Sequence, residues 1–326
     1  MTGLCAALFA GNAAAQAVEW PRYGPDREGV ALHGYTNAAP DIVGPVDGSA
    51  RLTIFTEGNH YPVLLPLVLD GFPAWCASTG RCAISAEDIL IVTLPQVMIV
   101  AALEGGGLRL GNAVLPLSPD GPVFPDIVMG GAAPLGRLAE SGVVAPEAQV
   151  FARHRGMGLL ARREVPVDKL ETFAQTSGRL AIASPNEAGA RRQYETTLTE
   201  LLGEAAAERI LEQDIGAFAG RLGIQHRDVP YALLNDLADV GVIFGHLAAF
   251  YAETYPHALR YIPVPEAAPF GQDIAAARAV RARPSMLREA FMEYLMASAS
   301  RTYPENGFHE AARFNYGETI ALPGSK

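Results

Sequence analysis

The segment Arg51-Leu52-Thr53-Ile54-Phe55-Thr56-Glu57-Gly58-Asn59-His60-Tyr61-Pro62 constrains the fold of this chain more than any other. Leu52, Ile54 and Phe55 suit a buried strand, and from Thr56 the run changes to hydroxyl, amide and small residues ahead of an apolar stretch, Val63 to Phe72, that reads as a helix. Where a strand ends against a helix start, backbone N–H groups lack internal partners and the helix dipole adds positive potential, so such a junction can hold an anion. The pattern recurs twice. Asp88 to Val92 is a strand, Thr93-Leu94-Pro95-Gln96 a turn, and Val97 to Glu104 a helix closed by Gly105-Gly106-Gly107. Pro95 suits the first helical position, with Thr93 at or just before the cap. Pro125 to Met129, the Gly130-Gly131-Ala132-Ala133 junction and Pro134 to Ser141 form the third unit. This alternation predicts an α/β protein with mostly parallel sheets, whose ligand sits at the carboxyl ends of the strands where the junctions converge. Each junction by itself fits ordinary helix capping better than it fits a ligand site.

The second half continues in the same style. Arg179 to Ala183 is a strand, Ser184 to Gly189 opens the helix Ala190 to Leu202, and Ser184 or Asn186 can cap it. Ile224 to Asp228 leads into a helix from near Pro230 to about Ala238, Val240 to Phe244 is a buried strand ending at Gly245-His246, and Pro284 to Ser298 is an amphipathic helix. Val150 to Leu160 and Tyr261 to Pro265 read as extended crossovers.

With 326 residues, 49% of them hydrophobic, the chain can bury a large core and is expected to form two lobes. A net charge of −10 speaks against nucleic acid or an anionic membrane surface as partner. Residues 1–17 are small and apolar and end in Ala15-Gln16-Ala17, the form of a cleaved signal peptide, although no Lys or Arg opens it. Its removal takes Cys5 away and leaves Cys76 and Cys82, which in an oxidising compartment predict a disulfide stabilising by about 2–3 kcal/mol; a metal or redox site is the alternative. Residues 18–48, rich in Pro, Gly, Tyr and Asn, read as an irregular surface extension whose Trp20, Tyr23 and Tyr35 pack onto something. The chain lacks the G-x-S-x-G, H-E-x-x-H, P-loop and dinucleotide fingerprints, so it is read as a non-enzyme with no cofactor.

The order of these pieces from Ala50 to Phe308 resembles the periplasmic solute-binding proteins of ABC importers with the type II fold, and within them the molybdate- and tungstate-binding branch. The resemblance rests on Thr56-Glu57-Gly58-Asn59 after the first strand, on Asp126-Ile127-Val128-Met129-Gly130-Gly131, on the crossover before Gly158-Leu159-Leu160, on Ala181-Ile182-Ala183-Ser184-Pro185, on Ala238 to Phe244, and on Asn306-Gly307-Phe308. It implies two lobes closing by hinge motion: residues 49–152 plus 264–326 as lobe I and 153–263 as lobe II, with hinges near Ala152 and Pro263 to Pro265. It also implies periplasmic location, a monomer, an ABC permease as partner and a small anion as ligand. Carried over by position, the oxyanion contacts fall near Thr56 and Thr93, where relatives often have Ser. In lobe II they fall near Pro185 to Ala188, near Asp228-Val229, and near Phe244 to His246, where relatives often place Tyr.

The expected ligand-binding residues are therefore Thr56, Asn59, His60, Thr93, Gly130, Gly131, Asn186, Val229 and His246. His154 and His226, with Arg155, Arg191 and Arg227, add donors able to hold an anion, while Glu57, Glu187 and Asp228 oppose one. That opposition keeps a metal ion, a metal chelate or a small organic ligand open, bound by a sensor or accessory subunit.

Overall fold

The computed structural model describes residues 41–110, 113–216, 224–280, 285–310 and 314–324. The expected signal peptide, Cys5, Trp20, Tyr23 and Tyr35 lie outside them. In chain order the elements begin with β1 (Asp41–Val43) and β2 (Leu52–Thr56), followed by the turn Gly58–His60, α1 (Tyr61–Pro66), a π-helical turn (Leu67–Gly71) and α2 (Phe72–Thr79). Next come β3 (Ile89–Thr93), α3 (Gln96–Gly105), the hairpin β4 (Gly107–Leu110) and β5 (Ala113–Pro116), β6 (Ile127–Gly130), α4 (Ala132–Glu140) and β7 (Glu147–Arg153). A second group holds β8 (Met157–Arg162), α5 (Leu170–Gln175), β9 (Leu180–Ala181), α6 (Ala188–Leu202), α7 (Glu204–Leu211), α8 (Gln225–Leu234), β10 (Val240–Phe244), α9 (Gly245–Thr254) and β11 (Leu259–Ile262). The chain then returns through β12 (Asp273–Arg278), α10 (Met286–Glu305) and β13 (Thr319–Ala321). Among the described residues no helix is long and apolar enough to cross a membrane.

Beside the two-stranded β4-β5 hairpin, the described strands form two larger sheets, one per lobe. The larger has the order β1-β3-β2-β6-β12-β7-β13 and the smaller β11-β8-β10-β9. Both faces of the larger sheet are covered. Leu52, Ile54, Ile89, Ile91, Ile127 and Met129 pack toward α1, α2 and α10, while Phe55, Leu90, Val92 and Val128 pack toward α3 and α4. Burial on two faces is why Ile-Leu-Ile-Val in β3 runs apolar without alternation. In the smaller sheet, β8 and β10 pack with Tyr194 and Leu198 of α6 and Val229 and Leu233 of α8.

The expected mostly parallel sheets prove mixed. β2 is parallel to β3 and β6, and β9 to β10, but β1–β3, β6–β12, β12–β7, β7–β13, β8–β10 and β8–β11 are antiparallel. For β12 the crossover is the cause: β2, β3, β6 and β7 end at the inter-lobe side, so β12, which re-enters from lobe II, starts there and runs the opposite way. The extension to Gly48 is likewise not wholly irregular, since Asp41 to Val43 form an antiparallel ladder with Thr93 to Ile91.

Helix starts also shift. α8 begins at Gln225, so Pro230 lies inside it. Proline has no N–H to give the carbonyl four residues back, here His226, and the Tyr251 hydroxyl donates to that carbonyl instead. α3 is preceded by Pro95 at its cap, and Thr93 does not cap it. Cys76 and Cys82 form the expected disulfide, with Cα atoms 4.8 Å apart.

Residues 154–156 and 263–272 connect the two sheets. Gly156 has φ +82°, and a Cβ there would lie 2.2 Å from the Ala267 carbonyl oxygen on the other connection. Gly80, the αL residue closing α2, has φ +67° but nothing within 4 Å of a Cβ. Gly80→Ala is therefore expected to cost about 1–2 kcal/mol from backbone conformation alone, and Gly156→Ala distinctly more. Urea unfolding of the two variants tests this, and equal losses would remove the steric argument.

Candidate functional site

The end of β2 turns at once into a buried polar cluster. Thr56 Oγ1 donates to the Glu57 carbonyl at 3.1 Å and accepts from His60 Nε2 at 2.9 Å, while the Tyr303 hydroxyl donates to His60 Nδ1 at 2.7 Å. This order of donors assigns His60 the Nε2–H tautomer and leaves the Thr56 hydroxyl engaged within lobe I. The Glu57 carboxylate is 3% exposed. Its Oε2 accepts from Gln96 Nε2, and its Oε1 lies 3.4 Å from His154 Nε2. Burial would raise this carboxyl, but its interaction with His154 and the Gln96 bond hold it below its ordinary value. Gln96 Oε1 in turn accepts the Gly131 N–H at 3.1 Å.

Lobe II closes on this cluster directly. Asn59 is met twice: its side-chain oxygen accepts from Gln225 Nε2 at 3.0 Å, and its carbonyl accepts from His246 Nε2 at 2.7 Å. The Gln225 N–H is held by Glu187 at 3.0 Å, and Gln225 Oε1 accepts from the Tyr194 hydroxyl. His154 stacks on Phe244 at 4.3 Å and on His246 at 5.1 Å, and His246 packs on Phe308 at 4.1 Å. Gly58 lets the His226 ring approach, because a Cβ there would lie 2.3 Å from His226 Cε1. The hydroxyls of Tyr61 and Tyr251 join the lobes at 3.0 Å.

Beside this seam is a cavity of about 260 Å³ lined by Asp41, Val43, Tyr61, Leu65, Thr93 and Arg227. The Asp41 carboxylate sits at its edge in a cradle drawn from both lobes. Its Oδ2 accepts from Thr93 Oγ1 at 3.0 Å and from His226 Nε2 at 3.4 Å, and its Oδ1 pairs with the Arg227 guanidinium. Burial pulls the Arg227 guanidinium below its ordinary value, against the charges around it, and a cation so placed favours a counter-anion.

Of the residues expected from sequence, Thr56, Asn59, His60 and His246 meet in the seam, and Thr93 lines the cavity. Gly131 faces Gln96, as does Gly130, where a Cβ would lie 3.1 Å from Gln96 Cδ. Val229 points into the lobe II core, its Cγ1 2.3 Å from where a Gly241 Cβ would be. Asn186 belongs to the short turn Pro185–Glu187 ahead of α6. Arg191 pairs with Glu195 and Asp214, each at 2.6 Å, and Arg155 holds the Phe308 carbonyl at 2.8 Å. Asp41, Tyr61, Gln96 and Gln225 escape a sequence reading, Asp41 because its strand is three residues long. Among the described residues no group of three or more His, Cys, Asp and Glu side chains is disposed to hold a metal ion.

Residues 120–309 match the family model of the bacterial extracellular solute-binding proteins. No curated protein matches the sequence. Solved structures share the fold at low identity. A substrate-binding domain assigned to a molybdenum ABC transporter of Clostridium difficile is 10% identical with a TM-score of 0.51, covering 80% of this chain and 99% of that one. The sulfate-binding protein SubI of Mycobacterium tuberculosis is 12% identical at 0.51, covering 80% and 87%. A periplasmic thiamin-binding protein is 14% identical at 0.51, covering 84% and 85%. Structural similarity at this level identifies the two-lobed, type II architecture and leaves the ligand to the residues.

Burial lowers both His60 and His226 to about 4, with the Glu57 charge and the Asp228 charge respectively opposing the shift, and it holds His246 well below its ordinary value. These rings are neutral when folded, whereas in the unfolded chain they take a proton near pH 6.5. The unfolded state thus binds more protons between about pH 6.5 and 4, and stability falls as pH falls through that window. The unfolding midpoint is expected to drop by on the order of 10 °C between pH 7 and pH 4.5, with a shallower slope in His226→Gln. Calorimetric scans across that range decide the matter; a flat profile would contradict neutral buried imidazoles.

Proposed function

The chain belongs to the bacterial extracellular solute-binding proteins, and we propose that it captures a small anion between its lobes and delivers it to the permease of an ABC importer. One observation carries the ligand class: a carboxylate, that of Asp41, is held by Thr93, Arg227 and His226 at the edge of the inter-lobe cavity. A hydroxyl, a guanidinium and an imidazole N–H converging on two oxygens constitute an anion site, and charge-assisted bonds of this kind are the strong ones. The cavity corresponds to about eight or nine water volumes, and Val43, Tyr61 and Leu65 give it apolar walls. A small organic acid, with its carboxylate or phosphate on Arg227 and Thr93 and its body against those walls, uses both features.

Capture then proceeds by closure of the lobe formed by residues 153–263 onto that formed by 49–152 and 264–326, about the connections at 154–156 and 263–272. Export through the 1–17 segment and action as a periplasmic monomer complete this reading. A second reading, a tetrahedral oxyanion of the molybdate or tungstate type, is favoured by the pairing of Thr56 with Thr93 at the ends of adjacent parallel strands. The engagement of the Thr56 hydroxyl with His60 and the Glu57 carbonyl ranks it second.

Thermal unfolding and calorimetry of the chain from Val18, at fixed ionic strength, separate the possibilities. The panel holds small mono- and dicarboxylates, phosphorylated acids, molybdate, tungstate, sulfate, thiamin and divalent metals. A ligand at a hundred times its dissociation constant stabilises by about 2.7 kcal/mol. An organic anion is expected to bind, with Thr93→Ala weakening it about 10–100-fold and Arg227→Gln at least as much. Thr56→Ala is expected to lower stability more than affinity. Stabilisation by molybdate or tungstate alone would establish the second reading, and stabilisation by cations alone would overturn both.

A further inference from the structure

We propose that Asp41 is a tethered competitor for the ligand, a carboxylate built into the chain that occupies the anion cradle and has to leave before a solute anion can enter. The inference rests on the anion reading above and adds to it how the site's affinity is set. Both carboxylate oxygens are engaged, and the donors come from different lobes: Thr93 ends β3 of the larger sheet, while His226 and Arg227 stand in the first turn of α8 beside the smaller one. Two carboxylates sharing one guanidinium and one hydroxyl repel each other strongly, so a solute anion and the Asp41 side chain exclude one another.

Displacement is feasible where the residue stands. Asp41 is the first residue of a three-residue strand at the sheet edge, paired along one side with β3, and its side chain is 28% exposed beside the cavity. Rotation of one side chain can exchange its contacts for water without unzipping the ladder. While seated, Asp41 also bridges the lobes from Thr93 to Arg227, so it favours the closed arrangement in the absence of solute. A ligand's apparent dissociation constant is then its intrinsic one divided by the fraction of molecules in which Asp41 is unseated. If Asp41 is seated about nine-tenths of the time, affinity is reduced about tenfold. The device selects for anions that out-compete a carboxylate, by carrying two charges or by using the apolar walls as well.

The test is calorimetric titration of wild type, Asp41→Asn, Asp41→Ala, Arg227→Gln and Thr93→Ala with the tightest anion from the panel, together with solution scattering of each ligand-free protein. The expected result is affinity about tenfold higher or more in both Asp41 variants, lower in the Arg227 and Thr93 variants, and a larger radius of gyration for ligand-free Asp41→Asn that returns to the wild-type value when the anion is added. Unchanged or weaker binding in the Asp41 variants, with Arg227→Gln and Thr93→Ala still damaging, would overturn the competitor while leaving the anion site standing, Asp41 then being a ligand contact. No effect of Arg227→Gln or Thr93→Ala would remove the anion site and the competitor with it.

Discussion

A carboxylate taken out of water must be met by charge or hydrogen bonds, or it unfolds the structure that buries it. Glu57 states that requirement for the whole molecule. It stands one residue past β2, and the protein brings Gln96 from α3 to hydrogen-bond its Oε2 and His154 from the first connection between the lobes to 3.4 Å from its Oε1. Gln96 ties the same point to the Gly131 junction, while His154 ties it to Phe244 and His246. One buried charge thus links the three strand ends of lobe I to the inner end of lobe II. The lobes' cores are separate clusters to either side of the seam, across which Tyr61 packs on the lobe II core and His246 on Phe308.

A polar seam suits the opening that the proposed capture requires. Apolar faces pressed together between lobes would resist hydration, whereas Asn59, Gln225, His226 and His246 can exchange their mutual bonds for bonds to water at modest net cost. The imidazoles make the exchange depend on acidity, because each is neutral in the seam and gains a charge readily once wet. His60 belongs to the same electrostatic system but answers inward, to Tyr303 and Thr56.

Much of the architecture was legible in the sequence because its signals are local. The apolar runs of β2, β3, β6 and β10, the Gly105 to Gly107 stop after α3, and the Cys76 to Cys82 spacing each depend on a few adjacent residues. What was missed or misread lies where distant segments override local preference. Asp273-Ile-Ala-Ala-Ala-Arg278 has helix-forming alanines yet lies as a central strand between β6 and β7, where small side chains fit a sheet covered on both faces. β1 exists because β3 offers it an edge. In the candidate site, Thr93 and the seam residues Asn59 and His246 could be named from their junctions, but their partners could not. Whether Thr56 faces a ligand or His60 depends on where His60 lies, and that is fixed by Tyr303, far along the chain.

The proline inside α8 carries a last consequence. Pro230 releases the His226 carbonyl, and Tyr251 takes it up from within lobe II, so the turn that presents His226 and Arg227 is fastened to its own lobe. The same hydroxyl also reaches Tyr61 across the seam. When the lobes part, that second bond is lost and the first remains. If these residues take the anion as proposed, the imidazole and the guanidinium are preorganised before it arrives, and the entropy of arranging them is spent during folding instead of at the moment of capture.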